Sequence, residues 1–189
     1  ANVQALRPLG QVSRSGVAIA RNLIGRKDVP GDGNCLFHAI GREIADKFRR
    51  HASLPGPDAM DGAVWRSWLL QYIRTTSDEI DGSTIAEWVA IVTGKTIEQY
   101  LEGMRVVRGP ETWGGFMEAA LIVHAWGKVV DSPMGCLMLS LGANEAKVMA
   151  WIGSRTADAQ LGIIWHVSHW SRVRLTPAGW EQLRRVPAV

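Results

Sequence analysis

The chain has 189 residues, 47% of them hydrophobic and 21% charged, enough for one compact domain with a substantial core. Its net charge of +3 includes no long basic run, so Arg49-Arg50 and Arg184-Arg185 read as solvated surface and no nucleic-acid partner is expected. No apolar run reaches the roughly 18 residues that span a bilayer, the N-terminus lacks the layout of a secretory signal, and no membrane partner is expected.

Residues 1–26 are mixed in character and predict an N-terminal arm or accessory helix, with one amphipathic piece around Val17 to Ile24. Residues 27–189 are expected to form the main domain. A glycine-rich turn, Gly31-Asp32-Gly33-Asn34, runs into a helix predicted from Cys35 to His51. Leu36, Ile40, Ile44 and Phe48 recur every four residues and give it one buried stripe. Arg42, Glu43, Asp46, Lys47 and Arg49 are assigned to its remaining surface. Leu54-Pro55-Gly56-Pro57 ends it.

A second helix is predicted from Asp61 to Thr76, with Val64, Trp68, Leu69 and Tyr72 at helical spacing. Ser83 and Thr84 can cap a third, and Thr96 to Met104 reads as a fourth. A loop at Gly109-Pro110 leads to Trp113-Gly114-Gly115, followed by a strongly apolar helix from Phe116 to Trp126. Beyond Gly127, short segments divided by Gly, Pro, Asn or Asp read as strands: Lys128–Val130, Cys136–Leu141, Lys147–Ile152, Ile163–Val167 and Ser171–Leu175. A terminal helix is predicted from Ala178 to Arg185. Helices first and sheet later predict an α+β domain, N-terminal helices packed on a small C-terminal sheet.

The chemistry centres on Cys35. A thiol where a glycine-rich turn becomes a helix lies near unpaired N–H groups and the positive end of the helix dipole, and both favour thiolate. Gly31 and Gly33 are expected to take positive φ. Such a turn can aim successive N–H groups at one point, as an oxyanion hole requires. Cys136 lies in an apolar strand-like run without a helix start and reads as core. Two cysteines are too few for a four-cysteine zinc site, and a working thiol suits a reduced compartment such as the cytoplasm.

Five histidines compete for the role of base. His38 is one helical turn beyond Cys35 and suits a wall or support. His51 falls at a helix end and His124 on an apolar helix. His166 and His169 remain.

The run Asp32-Gly33-Asn34-Cys35-Leu36-Phe37-His38-Ala39 resembles the nucleophile motif D-G-N-C-L-[FY]-[RH]-[AS] of the ovarian-tumour (OTU) family of cysteine proteases, which cleave ubiquitin from other proteins. Trp113-Gly114-Gly115 with Glu118 resembles that family's W-G-G-x-x-E helix start, and His169-Trp170 its H-[YW] histidine motif. The resemblance spans Asp28 to Leu175. It implies an OTU-like, papain-superfamily fold, Cys35 as nucleophile and His169 as base. It also implies an oxyanion turn flanked by Asp32 and Asn34, with Asp32 in the catalytic set, and Trp113, Gly114 and Trp170 around a channel narrow enough to select a di-glycine tail. No metal or organic cofactor is implied. The expected partner is ubiquitin or a ubiquitin-like modifier, and a monomer is expected.

The sequence departs from the family two residues after His169. Ser171 stands where many members carry Asp or Asn, and a hydroxyl brings no negative charge to the imidazole. Either Ser171 orients a weaker dyad or a carboxylate such as Asp28 supplies the charge. Two rival readings follow: a viral polyprotein-processing cysteine protease, which a chain opening at Ala1 permits, and a catalytically inactive ubiquitin-binding module.

Overall fold

The structure, a computed structural model, describes residues 10–12 and 17–185. Three short strands come first: β1 (Gly10–Val12), β2 (Ala18–Ala20) and β3 (Ile24–Lys27). Then follow α1 (Cys35–Lys47), α2 (Gly62–Thr75), a hairpin of β4 (Glu79–Ile80) and β5 (Ser83–Thr84), α3 (Ile85–Thr93), α4 (Ile97–Met104) and α5 (Phe116–Val129). The C-terminal part comprises β6 (Met134–Leu141), β7 (Glu145–Gly153), β8 (Ala159–His166), β9 (His169–Leu175) and α6 (Pro177–Arg184).

The helices start where side chains can satisfy their open N–H groups. Asp61 accepts from Ala63 N–H at the start of α2. Thr84 with Glu87, and Thr96 with Gln99, close reciprocal capping boxes on α3 and α4. Thr176 caps α6 through Gly179 N–H.

The main sheet runs in the order β1-β7-β6-β8-β9-β3, with β2 also on β7. β6 and β8 are parallel and the other neighbours antiparallel. Alternation along β6 divides the core between the two faces of the sheet. Cys136 and Met138 pack with α1, α2 and α5, while Leu137 and Leu139 pack on the other face with Ile19, Leu183 and the half-buried Trp180. The helix-side core gathers tryptophans: Trp65, Trp68 and Trp126 meet edge to face, with ring centroids 5.3 to 6.0 Å apart.

Two expectations are corrected here. Val17 to Ile24 forms no accessory helix. It runs through β2 and a single 3-10 turn (Arg21–Leu23) into β3, because β7 and β9 offer open strand edges whose backbone groups need partners. Lys128–Val130 is no strand: α5 continues to Val129 through Gly127, and Val130 N–H still reaches Trp126 O at 3.0 Å.

α1 lies across β8 and β9, and ion pairing fixes the contact. Arg172 of β9 donates to Glu43 Oε2 from Nε at 2.9 Å and from Nη2 at 2.7 Å, and also to Asp46. Glu43, expected on the helix surface, is therefore 4% exposed. Burial alone would weaken the Arg172 cation, but the two carboxylates outweigh it and hold its pKa above the ordinary value. Breaking one partner of such a group would leave a buried charge uncompensated.

The hairpin between β8 and β9 is tight. His166 pairs with His169, leaving only Val167 (φ 47°) and Ser168 (φ 59°) to turn the chain, both left-handed. This places His169, the first residue of β9, at the rim of the sheet.

Candidate active site

The turn before α1 is shaped by its glycine and its neighbours. Gly33 has φ 83°, and a Cβ there would meet Val107 Cγ1 at 2.3 Å, so no other residue fits. Gly31, also expected at positive φ, does not adopt it. Cys35 is the first residue of α1 and 5% exposed. The first intrahelical bond is His38 N–H to Asn34 O at 2.8 Å, so the N–H groups of Cys35, Leu36 and Phe37 precede the helical ladder.

Asp32 braces this turn. Its Oδ1 accepts Asn34 N–H at 3.0 Å, and His38 Nε2 lies 3.2 and 3.0 Å from its two oxygens. His38 Nδ1 accepts Gly62 N–H at 2.8 Å, which assigns the proton to Nε2 and makes neutral His38 a donor to Asp32. Partial burial would raise the pKa of Asp32, but the bonds from His38 and Asn34 outweigh it and hold it below the ordinary value. The stability this brace contributes is present above the unfolded-state pKa and lost as pH falls through the folded one.

Asn34 turns its side chain inward, and Oδ1 accepts from Arg66 Nε at 2.7 Å. With its N–H on Asp32 and its side chain on Arg66, Asn34 is committed to the turn. Arg66 was missed in the sequence. It is 4% exposed and donates also to Gly33 O at 2.9 Å, Thr112 O at 2.8 Å and Met104 O at 3.2 Å. Its guanidinium lies 4.7 Å from the centre of the Phe37 ring. Burial lowers its pKa, offset in part by Glu118, Tyr100, Asp32 and Cys35. The signal was there to read: Arg66 shares the buried face of α2 with Gly62, Trp65, Leu69, Leu70 and Ile73.

Trp113 follows Thr112, is half-buried, and lies beside the turn: a Cβ on Gly33 would be 3.4 Å from its Nε1. Gly114 packs on the first turn of α1, where a Cβ would meet Leu36 Cδ2 at 2.5 Å and Phe37 Cε2 at 2.9 Å. Glu118 caps α5 by accepting Gly115 N–H at 2.9 Å and receives the Tyr100 hydroxyl at 3.1 Å.

His169 faces the turn from β9: a Cβ on Gly31 would lie 3.7 Å from its Cε1 and Nδ1, at van der Waals distance. Its ring makes no hydrogen bond to another described residue. His166 is engaged elsewhere, Nδ1 receiving Arg26 Nη1 at 3.1 Å. His51 Nδ1 accepts Ser53 N–H at 3.2 Å, and its ring meets Trp126. Desolvation lowers the pKa of His124 on α5. Ser171 is 2% exposed and donates to Asp28 Oδ1 at 2.9 Å. Asp28 is also ion-paired with Arg26, whose Nε lies 3.1 Å from Oδ1 and whose Nη2 donates to Oδ2 at 3.5 Å. The two alternatives for the third group are thus bonded to each other. Trp170 is buried in the helix-side core with Trp165 at 5.1 Å, and Trp113 is the more open of the two channel candidates. Cys136 is fully buried, and desolvation pushes its thiol far above the usual range.

The α+β domain thus sets the Cys35 thiol at a helix N-terminus and the His169 imidazole against the preceding turn. Its fold is that of an OTU domain. The Hazara virus OTU bound to ubiquitin superimposes with a TM-score of 0.53 at 18% identity, covering 90% of this chain and 98% of that one. The viral OTU domain protease from Farallon virus gives 0.53 at 21% identity, covering 85% and 89%. An OTU deubiquitinase from Wolbachia pipientis wMel gives 0.53 at 9% identity, covering 86% and 96%. No family model and no curated protein sequence matches the chain.

Proposed function

We propose that this chain is a thiol-dependent isopeptidase that releases ubiquitin, or a ubiquitin-like modifier, from conjugates. The observation that carries the reading is the placement of Cys35 at the start of α1 with the His169 ring against Gly31 of the same turn. The OTU fold adds support, since OTU domains of this fold are seen bound to ubiquitin.

In the proposed reaction His169 takes the Cys35 proton and Sγ attacks the carbonyl carbon of the modifier's terminal glycine. The N–H of Cys35, ahead of the helical ladder, receives the oxyanion. The C–N bond breaks as the His169 imidazolium returns the proton to the leaving lysine amine, and a thioester remains. Water, deprotonated by His169, hydrolyses it and frees the thiol. Trp113 and Gly114 line the approach and exclude tails with bulky side chains. Two free cysteines fit a reducing compartment such as the cytoplasm.

Ubiquitin carrying a C-terminal electrophile should add one equivalent to the native chain, with mass mapping to Cys35. A fluorogenic ubiquitin substrate should be turned over. Tight ubiquitin binding without labelling or turnover would mark a binding module instead.

We assign the Asp28–Ser171 pair, which makes no hydrogen bond to the His169 ring, a through-space role in favouring the imidazolium. Asp28→Ala should then lower kcat more than Ser171→Ala, because it removes the charge as well as a partner. Equal, near wild-type rates for both folded variants would remove the pair from the mechanism.

A further inference from the structure

Gly33 O and Asn34 N–H belong to one planar peptide unit and point in opposite directions. Arg66 Nη2 donates to the first at 2.9 Å, and Asp32 Oδ1 accepts the second at 3.0 Å. A cation and an anion therefore grip the Gly33–Asn34 peptide from its two ends, one residue before the Asn34–Cys35 peptide, whose carbonyl is held by His38 N–H at 2.8 Å. Turning that peptide over would aim the Gly33 carbonyl at the Asp32 carboxylate and the Asn34 N–H at the guanidinium. Both contacts would then be repulsive.

We propose that Arg66 is a positioning residue that locks the Gly33–Asn34 peptide and thereby holds the Cys35 N–H in its oxyanion-binding direction. The proposal rests on the hydrolase reading of Cys35. Arg66 Nε fixes the Asn34 side chain, while Nη1 ties the turn to Thr112 O, just before Trp113, and to Met104 O at the end of α4. One planar fork thus aligns the nucleophile turn, the channel wall and α2. At the other end His38 holds Asp32, and Gly62 N–H, one helical turn before Arg66 on α2, sets the His38 tautomer. Lysine cannot replace this geometry, since its ammonium is a point charge without a planar fork.

The test uses Arg66→Lys, which keeps the charge, and Asp32→Ala, which releases the other end at a half-exposed site. Alkylation of Cys35 by iodoacetamide needs thiolate but no oxyanion hole, whereas ubiquitin hydrolysis needs both. Arg66→Lys should alkylate near the wild-type rate yet lose about 100-fold in kcat, the effect of a misplaced oxyanion donor, with KM little changed. Amide hydrogen exchange at Asn34 should quicken in both variants. A folded Arg66→Lys chain with wild-type kcat, or one losing alkylation in step with hydrolysis, overturns the proposal. So does unchanged Asn34 exchange in both variants. If the wild-type chain fails to hydrolyse ubiquitin while Asn34 exchange still responds, the lock stands and the isopeptidase reading falls.

Discussion

Cys35→Ala should abolish ubiquitin hydrolysis, and Cys136→Ala should leave it nearly intact. The two thiols share a chain and differ in setting. Cys35 opens α1, ahead of the first intrahelical hydrogen bond, with the His169 ring across the turn. Cys136 sits mid-strand in the helix-side core, where desolvation disfavours its thiolate. Loss of a nucleophile removes the covalent path altogether, so residual turnover should fall to the assay background. The Cys136 change deletes one buried sulfur and costs packing, visible as a lower melting temperature with kcat preserved. Labelling of Cys136 by a ubiquitin electrophile with Cys35 untouched would overturn the assignment.

His169→Ala should lower kcat by about 100- to 10,000-fold, the usual worth of general acid–base help. His166→Ala should cost far less, because His166 projects from the exposed end of β8 and its Nδ1 is already engaged by Arg26. The two residues face each other across one antiparallel pair, so the comparison separates chemistry from damage to the hairpin. A folded, inactive His166 variant beside an active His169 variant would reverse the reading. Hairpin integrity can be followed independently through the amide signals of Val167 and Ser168, both held in left-handed conformation.

Much of the helical part was legible in the sequence because its signals are local. The Leu36, Ile40, Ile44 stripe follows from helical period, and all three residues are buried. Thr84 and Thr96 marked helix starts by short-range capping chemistry, and both caps formed within four residues. The turn before Cys35 was readable in part: Gly33 takes the expected positive φ, and Gly31 does not. Breaker residues around short segments identified four C-terminal strands. The Lys128–Val130 error arose because a glycine inside an apolar helix carries the same local signal as a breaker.

What only the tertiary structure decided are the pairings between distant segments. Glu43 looked like helix surface, and nothing within its own helix foretells the Arg172 that buries it from 129 positions away. Ser171 and Asp28 read as competing orienters until the antiparallel pairing of β3 with β9 set them within a hydrogen bond. Val17 to Ile24 has helical spacing, yet the open edges of β7 and β9 take its flanking residues as strand. Arg66 shows the division most clearly. Its helix was read from the sequence, but the buried face that holds Arg66 with Trp65, Leu69 and Ile73 was not. Its acceptors come from the Asn34 side chain and from carbonyls of three separate segments, and only folding brings those together around one guanidinium. Local propensity is written into a few neighbouring residues, whereas a buried charge is defined by partners the chain meets only after it has closed on itself.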